Sequence, residues 1–280
     1  MQFRLDFVLV SGCSGPRKSR ESQFLPPYTP RRRTRGFSRL PCQWQADFPY
    51  DDGMNPSLET LSDPLPAEPL AILEHWLAEA WRHRFQPNPN SMVLATSDAH
   101  GRPSARVVLC KEIVPRPGYL VFFTNYLSQK GRQLAENPRA AAVLHWDHLH
   151  RQVRVEGPVL KAPAADSDAY FASRPWQSRL GAWASAQSEP TASREALRQS
   201  LAAAARRFEA PVPGHSTAQE LDVVIPRPPH WGGYHLWAES VELWVEGEAR
   251  IHDRGRWTRT LAPRPDGLEP GPWKATRLQP

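Results

Sequence analysis

The sequence predicts a mostly antiparallel β protein, its sheet closed into a barrel and its helices kept to the periphery. Three observations carry this. Short apolar runs of strand length recur from "SMVLATSD" onward, many of them alternating. Turn-forming segments such as "AHGRP" and "PRPG" separate them at short intervals. Helical spacing is confined to a few stretches between or before the strands, and no internal repeat is visible.

Residues 1–53 hold nine Lys/Arg against five Asp/Glu, are rich in proline and show no periodicity. They read as a disordered basic extension, and Met54 is a candidate translation start. Residues 54–90 form a lead-in and a first helix, because Leu70, Leu73, Trp76, Leu77, Ala80 and Trp81 recur at helical spacing behind Pro64, Pro66 and Pro69. Residues 91–280 form the main domain. "SMVLATSD", "SARVVLCKEIV" and "YLVFFTN" are read as three strands, and "SQKGRQLAENPR" as a short helix stopped by Asn137 and Pro138. "AAAVLHW" and "RQVRVEGPVLKA" return to strand, "ADSDAYFASR" and "ASREALRQSLAAAARRFEA" to helix. After a proline-rich loop, "YHLWAESVELWVEGEARIHDRGRWTRTL" alternates like a hairpin.

A chain of 280 residues can bury a substantial core, and its formal charge of +6 lies mostly in the extension. A basic tail on a nearly neutral body argues against a nucleic-acid role. No run approaches the length of a membrane span. "VSGC" has the look of a lipoprotein cleavage site, but Asp6 interrupts the apolar run before it, so a cytoplasmic protein is expected. Of three cysteines, Cys13 and Cys42 lie in the extension, and Cys110 sits in an apolar strand. Neither a GxGxxG, a P-loop, a CxxC nor an HExxH is present, and His145, His148 and His150 lack companion ligands, so no metal is expected.

Several segments could hold anions. Arg106 and Lys111 bracket the strand "RVVLCK": either ordinary strand ends or cations for a phosphate. Thr124, Asn125, Ser128 and Lys130 surround a helix start, where they serve as caps or as a phosphate site. Gln152 lies in a β pattern, either solvated or bonded to a heterocycle. Tyr170, Arg174 and Ser178 are four apart, but Pro175 breaks the helix, so a helix end followed by a loop is expected there. If "ARIHDR" is a strand, Arg250, His252 and Arg254 share one face and form a cationic row. Separated cationic and amide clusters without acid–base machinery suit a cofactor that brings its own chemistry.

In this order, "RVVLCK", "FFTNYLSQK", "RQVRVEG", "YFASRPWQSRLGAWASAQS", "HWGGYHL", "VELWVEGEARIHDR" and "WKATRLQP" resemble the pyridoxine/pyridoxamine 5′-phosphate oxidase family, over roughly 215 residues. The resemblance implies a split β-barrel homodimer with FMN at the subunit interface. By motif, Arg106, Val107, Val108, Leu109, Cys110 and Lys111 would line FMN, with Arg106 and Lys130 near its phosphate. Phe123, Thr124, Gln129, Gln152, Gln187, Ser188, Trp244 and Arg254 would complete that site. Lys111, Tyr170, Arg174 and Ser178 would hold the substrate phosphate, with the catalytic pair Arg250 and His252 over the substrate ring. The implied reaction oxidises pyridoxine or pyridoxamine 5′-phosphate to pyridoxal 5′-phosphate, with O2 as acceptor. Gln129 stands where the family commonly has arginine, and Phe123 where it has tyrosine. Leu243 and Val245 replace aromatic and polar residues, and the family's basic N-terminal lid has no clear counterpart before Leu70. Two alternatives share the fold: an oxidase of another substrate, such as a phenazine precursor, and a non-catalytic flavin or pyridoxal-phosphate carrier. Tyr170, Arg174 and Ser178 argue against the first, since a substrate without phosphate has no use for them.

Overall fold

The computed structural model describes residues 60–213, 223–265 and 267–280. The basic extension 1–53, the candidate start Met54 and part of the proline-rich loop, 214–222, lie outside the described residues. Helix α1 (Pro69–His83) opens with proline at its first position, where no intrahelical N–H is needed, and buries Leu70, Leu73, Trp76 and Ala80. It ends where Arg84 turns left-handed and donates its N–H to the Ala80 carbonyl. Trp81, part of the expected apolar stripe, is exposed instead.

Strands β1 (Ser91–Ser97), β2 (Pro103–Leu109), β3 (Glu112–Val114) and β4 (Tyr119–Asn125) follow. The expected single strand "SARVVLCKEIV" is therefore two. Cys110 bonds through its backbone to Asn90, and the Lys111 N–H turns to the Val121 carbonyl, so the chain changes partner between them. Helix α2 (Gln129–Glu136) stops at Asn137 as expected. Strands β5 (Arg139–Trp146) and β6 (Arg151–Lys161) come next, then α3 (Ala164–Ser173), α4 (Trp176–Ala184) and α5 (Arg194–Arg207). The expected loop after Pro175 is in fact α4. Pro175 ends one helix and sits at the N-cap of the next, a place that needs no N–H. Strands β7 (Trp231–Trp237), β8 (Ser240–Val245), β9 (Asp253–Thr258), β10 (Leu261–Arg264), β11 (Gly267–Pro270) and β12 (Lys274–Arg277) complete the chain.

All pairings are antiparallel, in a ten-stranded sheet with β10–β11 as a separate hairpin. The arrangement is a split β-barrel, and β6 divides it. Its first half pairs β8, its last residues pair β7, and β5 runs along its other edge. Alternation puts Val153 and Val155 inward beside Leu94, Phe122, Leu144, Trp146, Leu236, Leu243 and Trp257, all fully buried. A second core under α3–α5 gathers Phe171, Trp176, Leu180 and Trp231. At the far end Arg259, 9% exposed, donates to the carbonyls of Ala238, Pro117 and Gly118 and lies 4.1 Å from the Trp273 ring centroid. Arg259→Ala strands the Ala238 and Pro117 carbonyls, while Gly118 keeps the Ala238 N–H, and urea unfolding is expected to show a loss of about 2 kcal/mol.

Candidate active site

One cavity of about 900 Å3 opens between β2, the end of β4, α2, the α3–α4 junction and the segment 185–188. Its first cationic corner is built at the start of α2. Ser128 caps the helix, Asn125 Oδ1 accepts from the Leu127 N–H, and Gly131 lets the helix close on the preceding turn, where a Cβ would lie 2.1 Å from the Tyr126 carbonyl oxygen. This turn drives Lys130 inward. Lys130 is 7% exposed, and its Nζ donates to Thr124 Oγ1 (3.2 Å), Ser128 Oγ (3.2 Å) and Gln187 Oε1 (3.1 Å). No carboxylate pairs with it among the described residues. Burial, and secondarily the Arg106 charge, pull its pKa down to about 8. Arg106, beside it on β2, also lacks a carboxylate among the described residues. It donates to Thr96 Oγ1 and Ser104 Oγ, both at 2.6 Å, and to the Leu94 carbonyl.

The second corner lies at the α3–α4 junction. The Arg174 guanidinium rests on Trp231 (4.7 Å) and Phe171 (5.4 Å), and its NH1 is buried with no hydrogen-bond partner among the described residues. Burial lowers its pKa. Tyr170 stacks on Phe123 at 4.0 Å, and the Lys111 ammonium stands 5.7 Å from the Tyr170 ring. Two desolvated cationic groups on different elements, neither neutralised by a described carboxylate, equip one cavity for two anions.

The cavity thus brings together Arg106, Val107, Val108, Leu109, Lys111, Phe123, Thr124, Gln129, Lys130, Tyr170, Arg174, Ser178, Gln187 and Ser188. Cys110 does not join them. Its side chain is 2% exposed in the core, burial pushes its thiol up to about 12, and both its backbone groups are bonded to Asn90. Cys110 lies just past the end of β2, where its backbone is tied to Asn90.

Gln152, Trp244 and Arg254 lie elsewhere, opposite one another on β6, β8 and β9. Directly paired residues share a face, so they form a row across the sheet. Arg254 is occupied by Glu242, with Nε at 3.0 Å and NH2 at 2.7 Å from its Oε1. The expected row of Arg250, His252 and Arg254 on one strand does not form. Glu248–Arg250 is a 3-10 turn with Ala249 and Arg250 at positive φ, 51° and 65°. Gly247 makes the turn possible, since a Cβ there would meet the Ile251 carbonyl oxygen at 1.9 Å. His252 packs on Trp244, ring centroids 4.6 Å apart, and accepts from the Gly247 N–H. Arg250 is exposed. Sequence reasoning gave no role to Trp231, although "HWGGYHL" stood out; an aromatic beside two glycines is its only local mark.

A family model described as pyridoxamine 5′-phosphate oxidase matches residues 77–208, and one for the pyridoxine 5′-phosphate oxidase C-terminal dimerisation region matches residues 231–280. The pyridoxine/pyridoxamine 5′-phosphate oxidase of Paraburkholderia phymatum is 45% identical over 212 residues, covering 76% of this chain and 89% of that protein. Its namesake from Paracoccus denitrificans is 45% identical over 224 residues, covering 76% and 95%. Among solved structures, PhzG from Burkholderia lata 383, in complex with tetrahydrophenazine-1-carboxylic acid, aligns with a TM-score of 0.64 at 30% identity, covering 82% of this chain and 98% of that one. A pyridoxamine 5′-phosphate oxidase-related, FMN-binding protein from Nostoc punctiforme shares the fold, with a TM-score of 0.53 at 18% identity, over 76% of this chain and 97% of that one. With both halves of its folded region matched and relatives this similar over most of their length, the chain belongs to the pyridoxamine 5′-phosphate oxidase family and is an oxidoreductase of the split-barrel flavin-binding class.

Proposed function

We propose that this protein oxidises pyridoxine and pyridoxamine 5′-phosphate to pyridoxal 5′-phosphate with FMN as cofactor. The observation that carries this reading is the pair of uncompensated cationic corners in one cavity: a phosphorylated flavin and a phosphorylated substrate would present one phosphate each. Arg106 and Lys130 would hold the FMN phosphate, with Val107, Val108, Leu109, Lys111, Thr124, Gln187 and Ser188 along the cofactor. Lys111, Tyr170, Arg174 and Ser178 would hold the substrate phosphate. Bound FMN would supply a two-electron relay from the substrate carbon to dioxygen. The alcohol and O2 then give aldehyde and H2O2; the amine, O2 and water give aldehyde, H2O2 and ammonia. The chain's own contribution is to neutralise two phosphates and fix two rings against each other.

A homodimer completes this reading. Val107, Val93, Val143, Arg154 and Glu242 stand directly opposite one another across five strands, on the face that also carries Gln152 and Trp244. Val93 and Val107 are 43% and 65% exposed there. A second copy seated on this face would bring its Gln152, Trp244 and Arg254 to the flavin, and its Arg250 and His252 to the substrate ring. Val93 does not line the cavity, so Val93→Asp separates assembly from ligand contact. Sedimentation is expected to shift this variant from dimer to monomer, with loss of flavin retention. A dimeric Val93→Asp protein would remove the face from the interface.

A second reading, oxidation of an unphosphorylated heterocyclic acid, draws on the 30% identity to PhzG. Adding pyridoxamine 5′-phosphate without oxygen separates the two. Under the first reading a yellow flavin spectrum bleaches, then returns in air with peroxide. A flavin that stays oxidised rejects the substrate assignment. No flavin binding, even with added FMN, rejects the cofactor assignment.

A further inference from the structure

Behind Arg106, on the side away from the cavity, three polar side chains from three elements close into one network with it. Thr96 on β1 and Gln133 on α2 are 3% and 7% exposed, and Ser104 on β2 is half-buried. The hydroxyls of Thr96 and Ser104 lie 2.6 Å and 2.8 Å from one atom, Gln133 Oε1, and Arg106 NH2 approaches the same atom at 3.4 Å. A guanidinium can only donate, so the Gln133 atom facing all three is its oxygen rather than its amide nitrogen. Each hydroxyl gives its single proton to that oxygen. Its lone pairs are then free for Arg106, which reaches both hydroxyl oxygens at 2.6 Å.

We propose that Gln133 is a positioning residue for anion recognition: it takes up both hydroxyl protons, so that Arg106 is gripped by neutral acceptors and keeps its full positive charge for a phosphate in the cavity. Gln133 does not line that cavity and works only through Arg106. A carboxylate at its position would hold Arg106 equally well but neutralise it; an apolar side chain would leave the hydroxyl protons unassigned. Glutamine is the residue type that anchors without neutralising. The inference rests on the proposal that the Arg106 corner takes the FMN phosphate.

The test uses the full-length chain freed of flavin, with FMN and riboflavin affinities read from flavin fluorescence. The parent chain is expected to bind FMN much more tightly than riboflavin. Gln133→Glu, nearly isosteric, is expected to weaken FMN by at least roughly tenfold, the scale of one charge-assisted contact, and to leave riboflavin unchanged. Ser104→Ala removes one acceptor without adding charge. It is expected to weaken FMN by roughly 3- to 10-fold, again sparing riboflavin, and decides the matter if the glutamate variant does not fold. Equal losses for both flavins, or no loss for FMN, would overturn the role of Gln133 while the FMN site stood. A parent chain that binds riboflavin as tightly as FMN would overturn the phosphate assignment, and this inference with it.

Discussion

Lys130→Met is expected to bind FMN roughly 100-fold more weakly than the parent chain and to unfold at the same or a higher temperature, because removing a charged hydrogen-bonding partner costs about 1.5–3 kcal/mol. Lys130 is 7% exposed among neutral acceptors, so the fold holds a desolvated cation that its own stability does not need. Methionine fills similar space without the charge. The pH dependence gives a second signature. With a pKa near 8, the ligand-free protein loses this proton as pH rises through that value, so FMN affinity should fall above pH 8. Stability should move the other way. An unfolded lysine stays protonated to about 10.5, so between pH 8 and 10.5 the unfolded state binds more protons and this group makes stability rise with pH. The methionine variant should lose both trends. Titration calorimetry showing parental FMN affinity would remove Lys130 from the site.

Arg174→Ala is expected to raise KM for pyridoxamine 5′-phosphate by roughly 100- to 1,000-fold, the range for truncating one partner of a desolvated charge pair, with a smaller change in kcat and none in FMN affinity. The Arg174 guanidinium sits over the Trp231 ring and its buried NH1 has no partner among the described residues, so a ligand oxygen would find a held donor there. Arg174→Lys should recover little, because an ammonium neither stacks as a plane nor donates as a fork. Steady-state kinetics on purified variants would decide. An unchanged KM would favour a substrate without phosphate.

The strands and helices were legible where the repeat of apolar residues is fixed by geometry. The stripe Leu70, Leu73, Trp76 and Ala80 could only be a buried helix face, and Asn137–Pro138 could only end α2. Arg106, Lys130 and Arg174 were legible as cations, but their lack of carboxylate partners was not, because that depends on what 280 residues bring near them. Pro175 misled because proline forbids continuation and permits initiation, and the two readings share one residue. Arg250 and His252 misled because alternation was carried through Gly247, where the chain turns tightly enough to exclude a Cβ. Cys110 sat within a motif that resembles a flavin-lining strand, yet it falls past the end of β2, where bonds to Asn90 hold its backbone and its sulfur lies in the core. The network on Gln133 leaves no sequence signal, since Thr96, Ser104 and Gln133 meet only after β1, β2 and α2 have packed.

The shared strand β6 also sets a hazard for the chain while it is being made. Its partner β5 lies just before it, so that hairpin can form as soon as both emerge from the ribosome. The strands that cover its other edge, β7 and β8, begin only at Trp231 and Ser240, after three helices have been synthesised. Throughout that interval a long edge, with Val153, Val155 and Val159 on its inward face, stands unpaired, open to the same edge on a neighbouring nascent chain. The helices between β6 and β7 therefore lengthen the exposure as well as building the cavity, and a chaperone that shields strand edges would act on this protein before residue 231 is translated.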